Sequence, residues 1–119
     1  KLGRGQFSTV WLATDTSVSL QNPNKAIALK ILKSSPNYQE AAQEEVDLLN
    51  EIMKKPEASI GKRNIVLPID SFEIYGPHGT HVCIALELMG KSLLSLIRHA
   101  DPGGLSLGVV KKITFQMAL

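Results

Sequence analysis

The chain has 119 residues, room for one compact domain and too few for two independent cores. Hydrophobic residues make up 44% and charged residues 20%, which excludes wholesale disorder and collagen-like or mucin-like composition. Thirteen Lys and Arg against eleven Asp and Glu leave a net charge of +2; the basic pairs are scattered, so no concentrated footprint for nucleic acid is present.

Residues 1–6 carry Gly3 and Gly5 and lead into residues 7–15, where Phe7, Thr9, Trp11 and Ala13 alternate with Ser8, Val10, Leu12 and Thr14. That alternation predicts a strand. Residues 15–25 are rich in turn formers, and residues 25–33 return to an apolar pattern through Ala26, Ile27, Ala28, Leu29, Ile31 and Leu32. Three strands in a meander are expected. Pro36 suits the first turn of a helix, and residues 38–54 hold neither Gly nor Pro, which predicts a helix there. Residues 64–75 and 80–88 are apolar and β-branched on either side of Gly76-Pro77-His78-Gly79, a four-residue linker expected to close a hairpin. After Gly90 the leucines of residues 92–97 fit a helix, the segment 101–104 breaks it, and a second helix is expected over 105–119. The fold class is α+β.

Cys83 is the single cysteine and sits in Val-Cys-Ile-Ala-Leu, where a reduced, buried core thiol is expected. No apolar run approaches the roughly 20 residues of a membrane helix, and no secretory signal opens the chain. A soluble, intracellular protein is expected. The chain begins at Lys1 rather than Met and stops at Leu119 inside a helical pattern; it reads as a fragment.

Gly3-Arg4-Gly5-Gln6-Phe7-Ser8-Thr9-Val10 places two glycines ahead of a strand rather than a helix, which disfavours a dinucleotide-binding turn. A glycine-rich turn between antiparallel strands can still fold over a nucleotide, because backbone N–H groups then approach phosphate oxygens. An ordinary hairpin turn is the alternative. Lys30 is one polar residue in an apolar strand, either solvent-facing or an ammonium held for phosphates and paired with a carboxylate. On a wheel of the 38–54 helix, Ala42, Val46, Leu49 and Met53 form a narrow stripe, with Tyr38, Glu45 and Ile52 beside it. Glu45 therefore faces the core, while Glu40, Glu44, Asp47 and Glu51 face water, and an ion pair between Lys30 and Glu45 is expected.

A glycine-rich β turn, Ala28-Leu29-Lys30 on a third strand and an inward Glu45 on the next helix together resemble the N-terminal lobe of eukaryotic protein kinases. Lys1-Leu2-Gly3-x-Gly5-x-Phe7-Ser8-Thr9-Val10-Trp11-Leu12-Ala13, residues 40–49, Gly79-Thr80-His81-Val82-Cys83 and Glu87-x-x-Gly90-x-Ser92-Leu93-Leu94 narrow the likeness to the SR-protein kinases. Arg4, Gln6 and Met89 depart from the residues that family more often shows.

The resemblance implies a five-stranded antiparallel sheet with one helix as an N-lobe over residues 1–86, a hinge at 87–90 and the first helices of an incomplete C-lobe over 91–119. It implies ATP with Mg²⁺, the nucleotide held by Leu2, Gly3, Arg4, Gly5, Gln6, Phe7, Ser8, Thr9, Val10, Ala28, Lys30, Glu45, Leu86, Glu87 and Met89. Within that set Lys30 would hold the α- and β-phosphates and Glu45 would fix Lys30. Val10 and Ala28 would pack on adenine, Leu86 would be the gatekeeper, and the backbone of Glu87 and Met89 would bond the base. Substrates would be serines of Arg-Ser-rich proteins, with no direct nucleic-acid or membrane contact, and the full-length protein would be a cytoplasmic and nuclear monomer. The catalytic Asp and the metal ligands would lie beyond Leu119, so neither Asp70 nor Asp101 receives a catalytic role. His78, His81 and His99 lack metal-site spacing and are expected to be structural or solvated. A noncatalytic pseudokinase or truncated binding module is the competing reading, and an unrelated α+β domain a third.

Overall fold

The computed structural model describes residues 1–22, 25–57, 59–100 and 102–119. Asp101, and Pro23 and Asn24 of the polar segment, lie outside the described residues. Two compact units are present, Lys1–Pro56 with Val66–Leu88, and Glu57–Ile65 with Met89–Leu119.

The first unit is built on five antiparallel strands: Gly3–Arg4 (β1), Ser8–Thr14 (β2), Ala26–Leu32 (β3), Pro68–Gly76 (β4) and Gly79–Glu87 (β5), in the order β1-β2-β3-β5-β4. One helix, Pro36–Met53 (α1), packs on it. The three-strand start and the helix form where composition and period place them, and the late hairpin forms with a later start and a shorter turn. Pro36 occupies the first turn of α1, where its missing N–H loses no bond.

The register fixes which side chains share a face, because residues directly opposite in an antiparallel pair point the same way. Val10 pairs with Lys30 and Lys30 with Ile84, while Leu12 pairs with Ala28 and Ala28 with Leu86. One face therefore carries Val10, Leu12, Ala28, Lys30, Leu32, Val82, Ile84 and Leu86. Toward one end of that face Leu32, Val82 and Ile84 form the core with Ala42 and Val46 of α1, and Leu49 and Leu86 pack against it. Ala42 and Ile84 are completely buried, so burial at this seam supplies the main attraction between helix and sheet. Cys83, on the opposite face, is also fully buried.

Three expectations need correction. The linker is a two-residue turn, Pro77-His78, since Gly76 and Gly79 pair with each other as the last ladder rung; Gly79 closes it at φ +114°, a conformation that favours glycine. The strand expected from residue 64 begins at Pro68, because Gly61–Asn64 forms a 3-10 turn instead. Met53, expected within the apolar stripe, is 44% exposed, as α1 runs beyond the residues it packs against.

The second unit holds that 3-10 turn, Leu93–Arg98 (α2) and Leu107–Ala118 (α3). Ser92 and Ser106 cap the two helices, their hydroxyls accepting from the backbone N–H of Ser95 and Val109, which satisfies donors that helix starts leave open. Asn64 Nδ2 donates to the carbonyl of Gln116 at 3.1 Å, and the buried Lys62 ammonium lies 2.7 Å from Glu57. Among the described residues no helix is long and apolar enough to cross a membrane.

Candidate nucleotide site

Lys30 projects from the centre of β3 and Glu45 from the middle of α1, and the two meet. The Lys30 ammonium donates to Glu45 Oε1 at 2.6 Å and to Oε2 at 2.8 Å. The Lys30 side chain is 24% exposed and that of Glu45 39%, so the pair is neither sealed in the core nor free in water. An ammonium has three donors; those not spent on Glu45 remain for an anion. The other four helix acids stay on the exposed side of α1, as the wheel predicts.

The glycine-rich segment closes over this pair by local bonds. Leu2 N–H donates to Val10 O at 2.9 Å, β1 pairs Gly3 with Val10 and Arg4 with Thr9, and Gly5 N–H donates to Ser8 O at 2.9 Å. Gln6 and Phe7 form the exposed tip and Ser8 is buried beneath it. A cavity of about 310 Å³ lies under the turn, lined by Gly5, Phe7, Ser8, Lys30, Tyr38 and Glu45 among others. The turn geometry alone does not demand both glycines: neither has positive φ. A Cβ built at Gly3 would meet nothing within 4 Å, and one at Gly5 only Ser8 O at 3.7 Å. Leaving a backbone bare where the fold would accept a side chain suits close approach by a ligand.

Farther along the same face, Val10, Ala28 and Leu86 stand on three neighbouring strands, half-buried. Thr9 and Glu87 belong to the opposite face, Glu87 pairing with Ile27 at the end of β5. Met89 belongs to the second unit. The register brings Val10, Ala28, Lys30 and Leu86 to one surface, where the ion pair joins Glu45 to them, while Thr9 faces away from it.

Asp70 sits beside an irregularity of β4, where its carboxylate accepts from the Ser71 N–H. His81 lies near the start of β5 and its Nδ1 donates to Leu32 O at 2.8 Å; His99 Nδ1 donates to Ser95 O at 2.7 Å. Both rings tie backbone. Sequence reasoning set Tyr38 beside the apolar stripe and gave it no function, yet it lines the cavity together with Asn37 and Ala41. The available signal was its position seven residues before Glu45, close to two full helical turns.

No protein-family profile matches the chain. Curated relatives match over its whole length: it is 39% identical to protein kinase dsk1 of Schizosaccharomyces pombe over 100% of this chain and 21% of that protein. It is 43% identical to the serine/threonine-protein kinase SRPK of Physarum polycephalum, over 100% of this chain and 26% of that one. The human SRSF protein kinase 3 is 38% identical over 98% of this chain and 20% of the relative. The relatives it matches along its length are SR-protein kinases and serine/threonine-protein kinases, and the chain is similar to them. Its fold agrees, since a crystal structure of a kinase domain superposes with a TM-score of 0.68 at 26% identity, covering 92% of this chain and 29% of the other. The chain spans about a fifth to a quarter of the length of the relatives it matches. The five-stranded sheet with its single packed helix therefore has the fold of a protein-kinase N-lobe, and the Lys30 and Glu45 pair lies inside it.

Proposed function

We propose that this chain supplies the ATP-binding half of a serine/threonine kinase that phosphorylates serines in Arg-Ser-rich proteins. Residues 1–86 form the nucleotide lobe, 87–90 the hinge and 91–119 the start of the helical lobe. The observation that carries the reading is the two-oxygen contact between Glu45 and Lys30 at 2.6 and 2.8 Å, beneath a turn whose glycines the fold does not itself require. A lobe without a phosphate ligand has no need of a half-buried ion pair, which gains little stability by itself.

In this reading the backbone of Gly3 through Ser8, flanked by Leu2, Arg4, Gln6, Phe7 and Thr9, covers the phosphates, and Lys30 neutralises the α- and β-phosphate oxygens. Glu45 holds Lys30 in place, and Val10, Ala28 and Leu86 enclose adenine, with the base bonded by the backbone of Glu87 at the end of β5. Phosphoryl transfer is mostly positioning and charge neutralisation, so these residues bind and orient while bound Mg-ATP supplies the γ-phosphoryl group. In this reading no residue of the chain is assigned as a Mg²⁺ ligand or as the catalytic Asp.

The test is Lys30→Met in the full-length protein, assayed with Mg-ATP on an Arg-Ser peptide and on a serine peptide without arginine. Transfer to the Arg-Ser peptide should fall by about 10²–10³, the size of losing one charge-stabilising donor. Unchanged turnover would overturn the kinase reading. Equal use of both peptides would overturn the substrate class alone.

A further inference from the structure

Phe7 stands at the tip of the glycine-rich turn with 51% of its surface exposed, an unfavourable place for a large apolar ring unless something engages it. Tyr38 engages it. The two rings meet edge to face, centroids 5.1 Å apart and planes at 66°, a geometry in which the positive edge of one ring meets the negative face of the other. The Phe7 carbonyl accepts the Lys33 N–H at 3.0 Å. Phe7 is thus fastened to the end of β3 by backbone and to α1 by its ring.

Tyr38 and Glu45 lie seven residues apart on α1. That is a rotation within about 20° of two full turns and a rise of about 10.5 Å, so both side chains project from one stripe of the helix. Along that stripe α1 is attached twice, by Tyr38 to the glycine-rich turn and by Glu45 to Lys30 on β3. The cavity of about 310 Å³ lies between the two attachments and is lined by all four residues. The start of the helix has little else to fix it: the Ser35 side chain makes no capping bond, and Pro36 has no N–H to give. Gln39 adds one long bond, Nε2 to Thr80 O at 3.3 Å.

We infer that Tyr38 is a positioning residue whose ring, held against Phe7, sets the separation of the glycine-rich turn from α1 and so keeps Glu45 aligned with Lys30. Closure of the turn over phosphates and placement of the helix are then one coupled movement. The inference rests on the nucleotide-binding reading above and deepens it, since it assigns to an aromatic contact outside the ion pair part of the affinity for ATP.

The experiment uses the full-length protein and measures kcat and KM for ATP at saturating Arg-Ser peptide. The variants are Tyr38→Leu, Tyr38→Phe, Phe7→Leu and the double leucine variant, with thermal midpoints recorded to confirm folding. Leucine keeps helix propensity and apolar bulk while removing the ring. Tyr38→Leu should raise KM for ATP roughly 2- to 10-fold, the worth of one aromatic pair, and Tyr38→Phe should restore the wild-type value, because the ring and not the hydroxyl makes the contact. Phe7→Leu should match Tyr38→Leu, and the double variant should be no worse than either single one. Single effects that multiply, or an unchanged KM in Tyr38→Leu, would overturn the inference. Lys30→Met separates the two failures: if it abolishes transfer while Tyr38→Leu leaves KM unmoved, only the coupling is wrong, and if it leaves transfer intact the kinase reading has failed first.

Discussion

Lys30 and Glu45, fifteen residues apart in the chain, are joined through both carboxylate oxygens across the gap between a strand and a helix. Because the Glu45 side chain remains 39% exposed, solvent screens the attraction and the pair adds at most about 1 kcal/mol to folding. Glu45→Gln should therefore shift the denaturant midpoint little, yet lower kcat/KM for ATP on the order of 10²-fold by letting the ammonium wander. Denaturant titration beside steady-state kinetics on the same preparations checks both halves, and a large stability loss with intact kinetics would contradict the assignment.

Two glycines should respond in opposite ways. At Gly79, φ is +114° and a Cβ would come within 3.4 Å of the Ser34 Cβ, so Gly79→Ala should cost about 1–3 kcal/mol of stability and leave the KM for ATP of the folded protein unchanged. At Gly3 a Cβ has open space, so Gly3→Ala should change stability by no more than about 0.5 kcal/mol while raising KM for ATP. Urea midpoints and ATP kinetics of the two variants, compared side by side, decide it.

The Cys83 thiol is fully buried, and desolvation pushes its pKa up. A folded pKa above the unfolded one means the thiol takes nothing from stability below pH ~8.5 and lowers stability increasingly as pH rises beyond that value. At pH 8 a disulfide reagent that reports thiolate should react with Cys83 only after denaturant is added. Rapid labelling of the native protein would show that the site opens.

In the second unit, the hydrogen bond from the Lys62 ammonium, then its charge, holds the Glu57 carboxyl below its ordinary value of 4.5. A lowered folded pKa gives stability that is present above the unfolded value and lost as pH falls through the folded one. The thermal midpoint should accordingly drop as pH is taken from 5 toward 3, less steeply in Glu57→Gln. Identical acid limbs for the two proteins would remove the pair from the account.

Much of the lobe was legible because its cues are local. The alternation around Val10 and the apolar run around Ile27 each set a strand, and the period linking Ala42 to Val46 and Glu45 told which side of the helix meets the sheet. What escaped was decided by partners distant in sequence. Ile65 and Val66 have strand propensity, but the 3-10 turn before them delays the strand to Pro68. Tyr38 acquired a role only once the turn carrying Phe7 came down on it, a contact no periodicity in the helix encodes. Where Gly76 and Gly79 would pair depended on register, and register is a property of two strands together.

Strand order also governs how the lobe assembles. β2 with β3 and β4 with β5 are neighbours in sequence as well as in space, so each pair can zip from its own turn. The seam between β3 and β5 is different, since it pairs Ile31 with Cys83 and must close a loop that contains all of α1 and the 3-10 turn. Loop-closure entropy is greatest there, so the ladder that carries Lys30 beside Ile84 is the costliest of the sheet to close. The lysine that would meet the nucleotide thus sits on the seam that turns two hairpins into one sheet.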